Sequence, residues 1–348
     1  MAEAKKKSTI ATIAEELGVS PSTVSRAFNP ESKISDEVRQ KILRCAKQQN
    51  YVPNLAASRL SMREINIVVL FTNAYQHAAE EYRRGVTDAY RELFDLKINL
   101  EIKILDEKDK KPENLKPLLN ECSSFDGVIV SGFLEEEELR ELNRLAKKTN
   151  LVLLQADMPQ IDRLFASCHD SGVSSRLAAE FLGDCLRRSA RRNVVIFTGD
   201  RKSDLHRRAN EFFLEAAEAF GLTVIDSFDM QDSPEILKWQ LHEMHTKRGV
   251  WPDGIYITSG RSLELCKYMK ANDLADRTVL VTFDVHKETV DYLKQGIIWG
   301  SIYQNLYKQA KNAFTHLVRY LIGEVEPDSV ISPVPELILK SNLDFYIS

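Results

Sequence analysis

From Ser8 to about Gln49, apolar residues recur at the three-and-four spacing of a helical face: Ile10, Ile13, Ala14 and Leu17, then Val24, Ala27 and Phe28, then Val38, Ile42, Leu43 and Ala46. Three short helices follow from this pattern. Thr9 can cap the first and Gly18 can end it, while Ser20-Pro21 opens the second with a capping hydroxyl and a proline at the first helical position. Asn29-Pro30 ends that helix, because the residue before proline disfavours the helical region, and Ser35-Asp36-Glu37 starts the third with a cap and an acidic first turn.

Beyond Ser61 the period changes. Apolar runs at 65–71, 98–105, 127–130, 151–154, 194–197, 222–227, 254–257 and 279–283 read as strands, and amphipathic stretches between them read as helices. Such alternation predicts parallel sheets with helices on both faces. The length of this part favours two doubly wound lobes over one, with a ligand crevice at the carboxyl ends of their strands. The expected fold is therefore an all-α helix-turn-helix headpiece joined to an α/β body of two lobes. Its segments are a headpiece over 1–52, a hinge helix and linker over 53–63, and a two-lobed body over 64–348. The first lobe takes about 64–166 and 304–328, the second about 167–303 and 329–348.

Composition narrows the class. Apolar residues make up 43% and charged residues 28% of the 348, an ordinary globular balance, and the apolar runs are too short for a membrane span. The start of the chain has no apolar stretch after its three lysines, so no secretory signal is expected and the chain is placed in the cytoplasm. Five cysteines without a Cys-x-x-Cys pair support neither disulfides nor a zinc site. The net charge of −4 conceals a split: residues 1–63 hold 11 Lys/Arg against 6 Asp/Glu, which is +5 and leaves −9 for the rest. A basic front on an acidic body suggests that only the front faces nucleic acid.

The second helix carries the sharpest chemistry. Its spacing turns Val24, Ala27 and Phe28 inward and leaves Pro21, Ser22, Ser25 and Arg26 outside, a small, hydroxyl-rich, basic face suited to the major groove. Spacing alone does not distinguish this from a three-helix cap whose polar face is merely solvated, which is the simpler reading before any resemblance is considered. The pattern Thr9-x-x-Thr-Ile-Ala-x-x-Leu-Gly-Val-Ser-x-x-Thr-Val-Ser-Arg-x-x-Asn29, then Ile34-Ser35, then Tyr51-Val-Pro-Asn-x-x-Ala-x-x-Leu60 closely resembles the DNA-binding headpiece of the lactose-repressor and galactose-repressor family of bacterial regulators. Thr12, where the family usually has an acidic residue, and Leu17, where it usually has alanine, lie off the recognition face. The resemblance implies base reading by Pro21, Ser22 and Arg26. It also implies phosphate or backbone contacts from Thr9, Ser20, Thr23, Ser25, Asn29, Lys33 and Ser35. Residues 54–60 are similar to the family's hinge helix, so Asn54, Ala57 and Leu60 are expected in the minor groove, with Leu60 wedged between bases. The alternative is a linker helix whose leucines pack on the next domain.

The rest of the chain resembles, more loosely, the family's sugar-binding-protein-like sensor, through Phe125-Asp-Gly-Val-Ile-Val, Trp251-Pro-Asp-Gly-Ile-Tyr, Phe283-Asp284 and Ile302-Tyr-Gln-Asn305. This implies an effector site drawn from Asn73, Tyr75, Asp170, Arg208, Ser259, Asp284 and Gln304. Asp284 follows a buried run, where its carboxylate can accept bonds from two hydroxyls. Several positions depart from the family pattern: Ala78-Ala79 replaces aromatic residues, the usual arginine falls on Ala209 so that Arg208 is an offset candidate, and Ser259-Gly260 replaces Asn-Asp.

No Gly-x-Ser-x-Gly, Gly-x-Gly-x-x-Gly or phosphate-loop motif is present, and no catalysis, cofactor or metal is expected. His242-Glu-Met-His245 has the wrong spacing for a metalloprotease site and reads as a solvated helix face; the run Glu135 to Glu138 reads as an acidic helix start. The expectation is a dimeric, sequence-specific transcription regulator, most simply a repressor. Its partners are double-stranded operator DNA, a sugar, polyol or sugar derivative, and a second copy of the chain; no leucine heptads follow the last strand, which favours a dimer over a tetramer. The rivals are a solute-binding or sugar-modifying protein and a regulator answering to a protein corepressor.

Overall fold

A computed structural model of the chain describes residues 9–28, 32, 34–49, 51, 63–72, 76–106, 108–133 and 135–347. The headpiece consists of α1 (Ile10–Leu17), α2 (Pro21–Ala27) and α3 (Asp36–Gln48). Thr9 and Thr12 exchange backbone and side-chain bonds of 2.9 and 3.2 Å at the start of α1, so Thr12 performs the capping role an acidic residue would fill. Gly18, at φ +63°, ends the helix in the left-handed conformation. Ser20 caps α2 by accepting from Thr23 N at 3.1 Å; Ser35 precedes α3 without a side-chain cap bond, leaving Asp36 and Glu37 to complement the helix dipole. Ile13, Ala14, Val24, Ala27, Ile42, Cys45 and Ala46 form one small buried core.

In the body, chain order runs β1 (Ile65–Thr72), α4 (Gln76–Glu92), β2 (Ile98–Leu105), α5 (Pro112–Cys122), β3 (Gly127–Ser131), α6 (Glu136–Ala146), β4 (Asn150–Leu154) and β5 (Phe165–Ser167). It continues with α7 (Ser171–Cys185), β6 (Asn193–Thr198), α8 (Asp204–Ala219), β7 (Thr223–Asp229), α9 (Pro234–His242), β8 (Gly254–Ile257), α10 (Leu263–Ala271), β9 (Val279–Phe283), α11 (Val290–Lys294) and β10 (Gly300–Tyr303). The last elements are α12 (Leu306–Leu321), β11 (Val330–Ile331) and β12 (Glu336–Ile338).

Two six-stranded sheets result, in the orders β11-β5-β4-β3-β1-β2 and β12-β10-β9-β8-β6-β7. The first is parallel throughout, and the second is parallel except for β12, which runs against β10. Each sheet is covered on both faces because successive side chains alternate sides. In β1, Ile65, Ile67, Val69 and Phe71 pack with α4 and α12, while Val68 and Leu70 pack with α5 and α6. Gly85 is where α4 and α12 meet: a Cβ there would lie 2.3 Å from the Tyr307 carbonyl oxygen, so only glycine permits this approach.

The chain crosses between lobes after β5, after β10 and after β11. The last crossing comes later than the expected boundary at 328/329, since Val330 and Ile331 still pair with Ala166 and Ser167 of the first sheet. The acidic run behaves as expected, Glu135 N donating to Glu138 Oε2 at 3.0 Å at the start of α6. His242 and His245 do not share a helix face, because α9 gives way at Glu243–Lys247 to a π-helical turn. There His245 meets the edges of Trp251 and Tyr268 at 5.1 and 5.9 Å. Among the described residues no helix is long and apolar enough to cross a membrane.

Candidate functional site

On the headpiece, burial of Val24 and Ala27 leaves Pro21, Ser22, Ser25 and Arg26 exposed on one face of α2, with Thr9, Ser20 and Ser35 also exposed. The hydroxyls of Ser20, Ser22 and Thr23 are linked at 2.7 and 2.8 Å. This links three groups able to meet phosphate oxygens, and Arg26 stands one turn along. Asn29, Lys33, Asn54, Ala57 and Leu60 lie outside the described residues.

The body contains a cavity of about 660 Å³ between the lobes. Its walls are the carboxyl ends of the strands: Thr72 after β1, Ser131 after β3, Gln155 after β4, Asp200 after β6, Thr258 and Ser259 after β8, and Asp284 after β9. That is where parallel α/β sheets place their ligands. Backbone strain gathers here too. Of the six described non-glycine residues at positive φ, Gln155, Gln231, Asp232 and Asp284 all line this cavity. Such conformations cost about 1–3 kcal/mol each and persist where the surroundings impose them.

Asp284 is 5% exposed and sits at φ +60°. Its carboxylate accepts from Gln304 Nε2 at 2.6 Å and Gln304 N at 3.2 Å, and its own carbonyl accepts from Ser301 Oγ. Gln304 lies on the second crossing, so this bond ties the second sheet to the hinge and leaves part of the carboxylate facing the cavity. Ser259 donates to Asp232 Oδ1 at 2.5 Å, and Asp232 also accepts from Asp200 N at 3.2 Å. His206 bonds Thr258 Oγ1 through Nδ1 at 3.0 Å and places Nε2 3.7 Å from Asp232. Burial pushes the His206 imidazole pKa below its ordinary value, although Asp232, Asp200 and Asp229 pull it upward. Gly199 makes room for this arrangement: a Cβ there would lie 2.4 Å from His206 Nε2 and 2.6 Å from Asp232 Oδ1.

Of the effector residues expected from sequence, the structure brings Ser259, Asp284 and Gln304 into this cavity. Asp170 and Arg208 line instead an adjoining chamber of about 150 Å³ beside the lobe crossings, which shares Gln155, Ala156 and Leu205 with the main cavity. The cause is local. Asp170 turns its carboxylate to cap α7, accepting from Gly172 N and Val173 N, and Arg208 lies over the ring of Phe212, one turn on, at 5.5 Å. Asn73 and Tyr75 fall outside the described residues. Asp200, His206 and Asp232 escaped sequence reasoning; the signal that could have found them is their place just beyond strands 194–197 and 222–227. Among the described residues no group of three or more His, Cys, Asp or Glu side chains could hold a metal ion.

Comparison with known proteins accords with this architecture. A family model described as bacterial regulatory proteins, lacI family, matches residues 9–54, and one described as periplasmic binding protein domain matches 123–324. The chain is 30% identical to the probable HTH-type transcriptional repressor ExuR of Bacillus subtilis over 155 residues, 43% of this chain and 44% of that protein. It is 34% identical to the HTH-type transcriptional regulator RegA of Clostridium saccharobutylicum over 145 residues, 41% and 42% of the two chains. The chain thus spans under half the length of these two relatives. Among solved structures, a glucose-galactose binding protein from Geobacillus stearothermophilus, GanP, superposes with a TM-score of 0.70 at 18% identity, over 81% of this chain and 99% of that one. The Lac repressor dimer bound to operator and the anti-inducer ONPF superposes with a TM-score of 0.64 at 17% identity, over 96% and 98%. With more than half of its length matched by the periplasmic binding protein domain, this chain belongs to that family, and it carries at residues 9–54 a headpiece of the type described as bacterial regulatory proteins, lacI family.

Proposed function

We propose that this protein is a sequence-specific transcription repressor of the cytoplasm that binds a palindromic operator as a homodimer and is controlled by a small hydroxylated effector. It catalyses no reaction. The observation that carries this reading is the union, in one chain, of an exposed Pro21-Ser22-Ser25-Arg26 helix face with an interlobe cavity lined by Asp284, Gln304, Ser259 and Asp232. The helix face offers hydroxyls and a guanidinium to phosphates and base edges. The cavity offers carboxylates and amides to hydroxyls, and closing the lobes on a ligand supplies the differential affinity that any such control requires. The names of ExuR and RegA, a repressor and a regulator, and the operator in the Lac repressor structure support the same reading.

Selection of binding sites from a random duplex pool, followed by titration of the selected duplex at two salt concentrations, tests it. A palindromic consensus bound tightly with steep salt dependence is expected. Failure to enrich any sequence would refute the regulator reading.

A further inference from the structure

The cavity wall carries more negative charge than positive. Asp200, Asp232, Asp284 and Glu288 all line it, and among the described residues none of the four has a Lys or Arg within ion-pair distance. Their bonds are to backbone amides, to the Ser259 hydroxyl and to the Gln304 amide. A fifth wall carboxylate, Glu264, is already held by Lys238 and Lys267 at 3.1 and 2.8 Å. Lys110, one of the two cations in the wall beside Arg261, is tied to Glu138 at 3.1 Å, so five carboxylates stand against two cations. His206 adds nothing positive, because burial keeps it neutral near Asp232.

A second observation lies beside it. His169, 4% exposed, lines the chamber that adjoins the cavity, and its buried Nδ1 has no hydrogen-bond partner among the described residues. Carboxylates without cationic partners ask for a ligand that donates and carries positive charge. An ammonium group, with three donors and no acceptor, is the simplest such group.

We propose that the effector is a polyol bearing a protonated amine, of the amino-sugar class, with its ammonium held by the Asp200–Asp232 wall and its hydroxyls by Asp284. This rests on the reading of the cavity as a hydroxylated-effector site. Sugar acids and sugar phosphates are disfavoured by the same field.

The test is a grid of ligands offered to the full chain, scored by thermal shift and then calorimetry. Glucose, galactose and mannose each appear as the neutral hexose, the 2-amino-2-deoxy sugar, the uronate and the 6-phosphate. At least one amino sugar is expected to bind tenfold or more tightly than its neutral parent, and Asp232→Asn or Asp200→Asn to erase most of that advantage. Each variant gives up charge-assisted bonds and is expected to melt somewhat lower without ligand, so binding is compared only where circular dichroism shows the fold intact; either variant alone suffices if the other fails to fold. A neutral, uronate or phosphate member as the tightest ligand would overturn the inference while leaving the effector site standing. The same holds for an amine advantage untouched in the folded variants. A grid in which nothing binds would remove the hydroxylated-effector reading and this inference together.

Discussion

Asp284→Asn isolates one variable, the charge of the carboxylate. Asp284 sits at φ +60°, and asparagine tolerates the left-handed region as well as aspartate does, so backbone strain is unchanged. Volume is unchanged as well. What changes is the partner of Gln304, which donates to Asp284 Oδ2 at 2.6 Å and to Oδ1 at 3.2 Å. A bond to a charged group contributes about 1.5–3 kcal/mol, and a neutral amide about half of that. The new NH₂ must also avoid the Gln304 NH₂, and Gln304 cannot flip freely, because its carbonyl side faces Gln309 Nε2 at 3.4 Å. A loss of about 1–2 kcal/mol of sensor stability is therefore expected. Where ligand hydroxyls bond the same carboxylate, effector affinity should drop by at least about tenfold, the equivalent of 1.4 kcal/mol. Thermal melting of the ligand-free protein reads the first quantity and calorimetry with the effector reads the second. Operator affinity without effector should stay near wild type, since the substitution leaves the headpiece untouched. Unchanged melting would refute the Asp284–Gln304 tie, and unchanged effector affinity would remove Asp284 from the binding surface.

Three further outcomes are expected. Arg26→Ala should lower affinity for the selected operator by about 1–3 kcal/mol while sparing weak binding to scrambled duplex, and equal losses on both would make Arg26 a phosphate contact. Gly85→Ala should destabilise the first lobe by about 1–3 kcal/mol, because the added carbon meets a backbone carbonyl that cannot rotate away; chemical denaturation measures this, and a neutral result would mean α4 and α12 part easily. Acidification should weaken the fold: burial holds His169 at about 4 and lowers His206, so the unfolded chain binds protons that the native one refuses. Stability from these two residues is complete above the ordinary histidine range and falls as pH drops below it, by roughly 2 kcal/mol for His169 alone at about pH 5. A melting temperature in His169→Gln with the same pH slope as wild type would refute the assignment.

The long strands and the headpiece were legible because local chemistry and burial agree there. Val194 to Phe197 is buried on both faces and reads as one apolar run, and Ser20-Pro21 starts a helix wherever it is placed. The strands β5, β10, β11 and β12 went unread. They have two to four residues each, and tertiary context creates them as the chain passes between lobes; Val330 and Ile331 are strand only because Ala166 and Ser167 lie beside them. Among site residues, Asp284 and Gln304 were legible through the short segments around them. His206 and Asp232 belong to no motif, and only the pairing of strand 193–198 with 223–229 on one side and 254–257 on the other brings their loops and Ser259 together. Arg208 was placed by register alone, and one helical turn decides between cavity and chamber.

The three passages of the chain between the lobes have a consequence for how the protein is made. The first sheet needs β11 at its edge, and the α4 face needs α12, which lies more than two hundred residues further along the chain. Contacts so distant in sequence are slow to form, and chains on the ribosome fold their early segments first. Once 65–167 has emerged, the nascent first lobe still exposes the apolar stripe of Val86, Ala89 and Phe71 that Phe314 and Leu317 will later cover. It must wait through synthesis of the entire second lobe. The headpiece, with local contacts only, can finish early. The interval between the two is the period of greatest exposure to aggregation and chaperone capture, and it closes when α12 docks against Gly85.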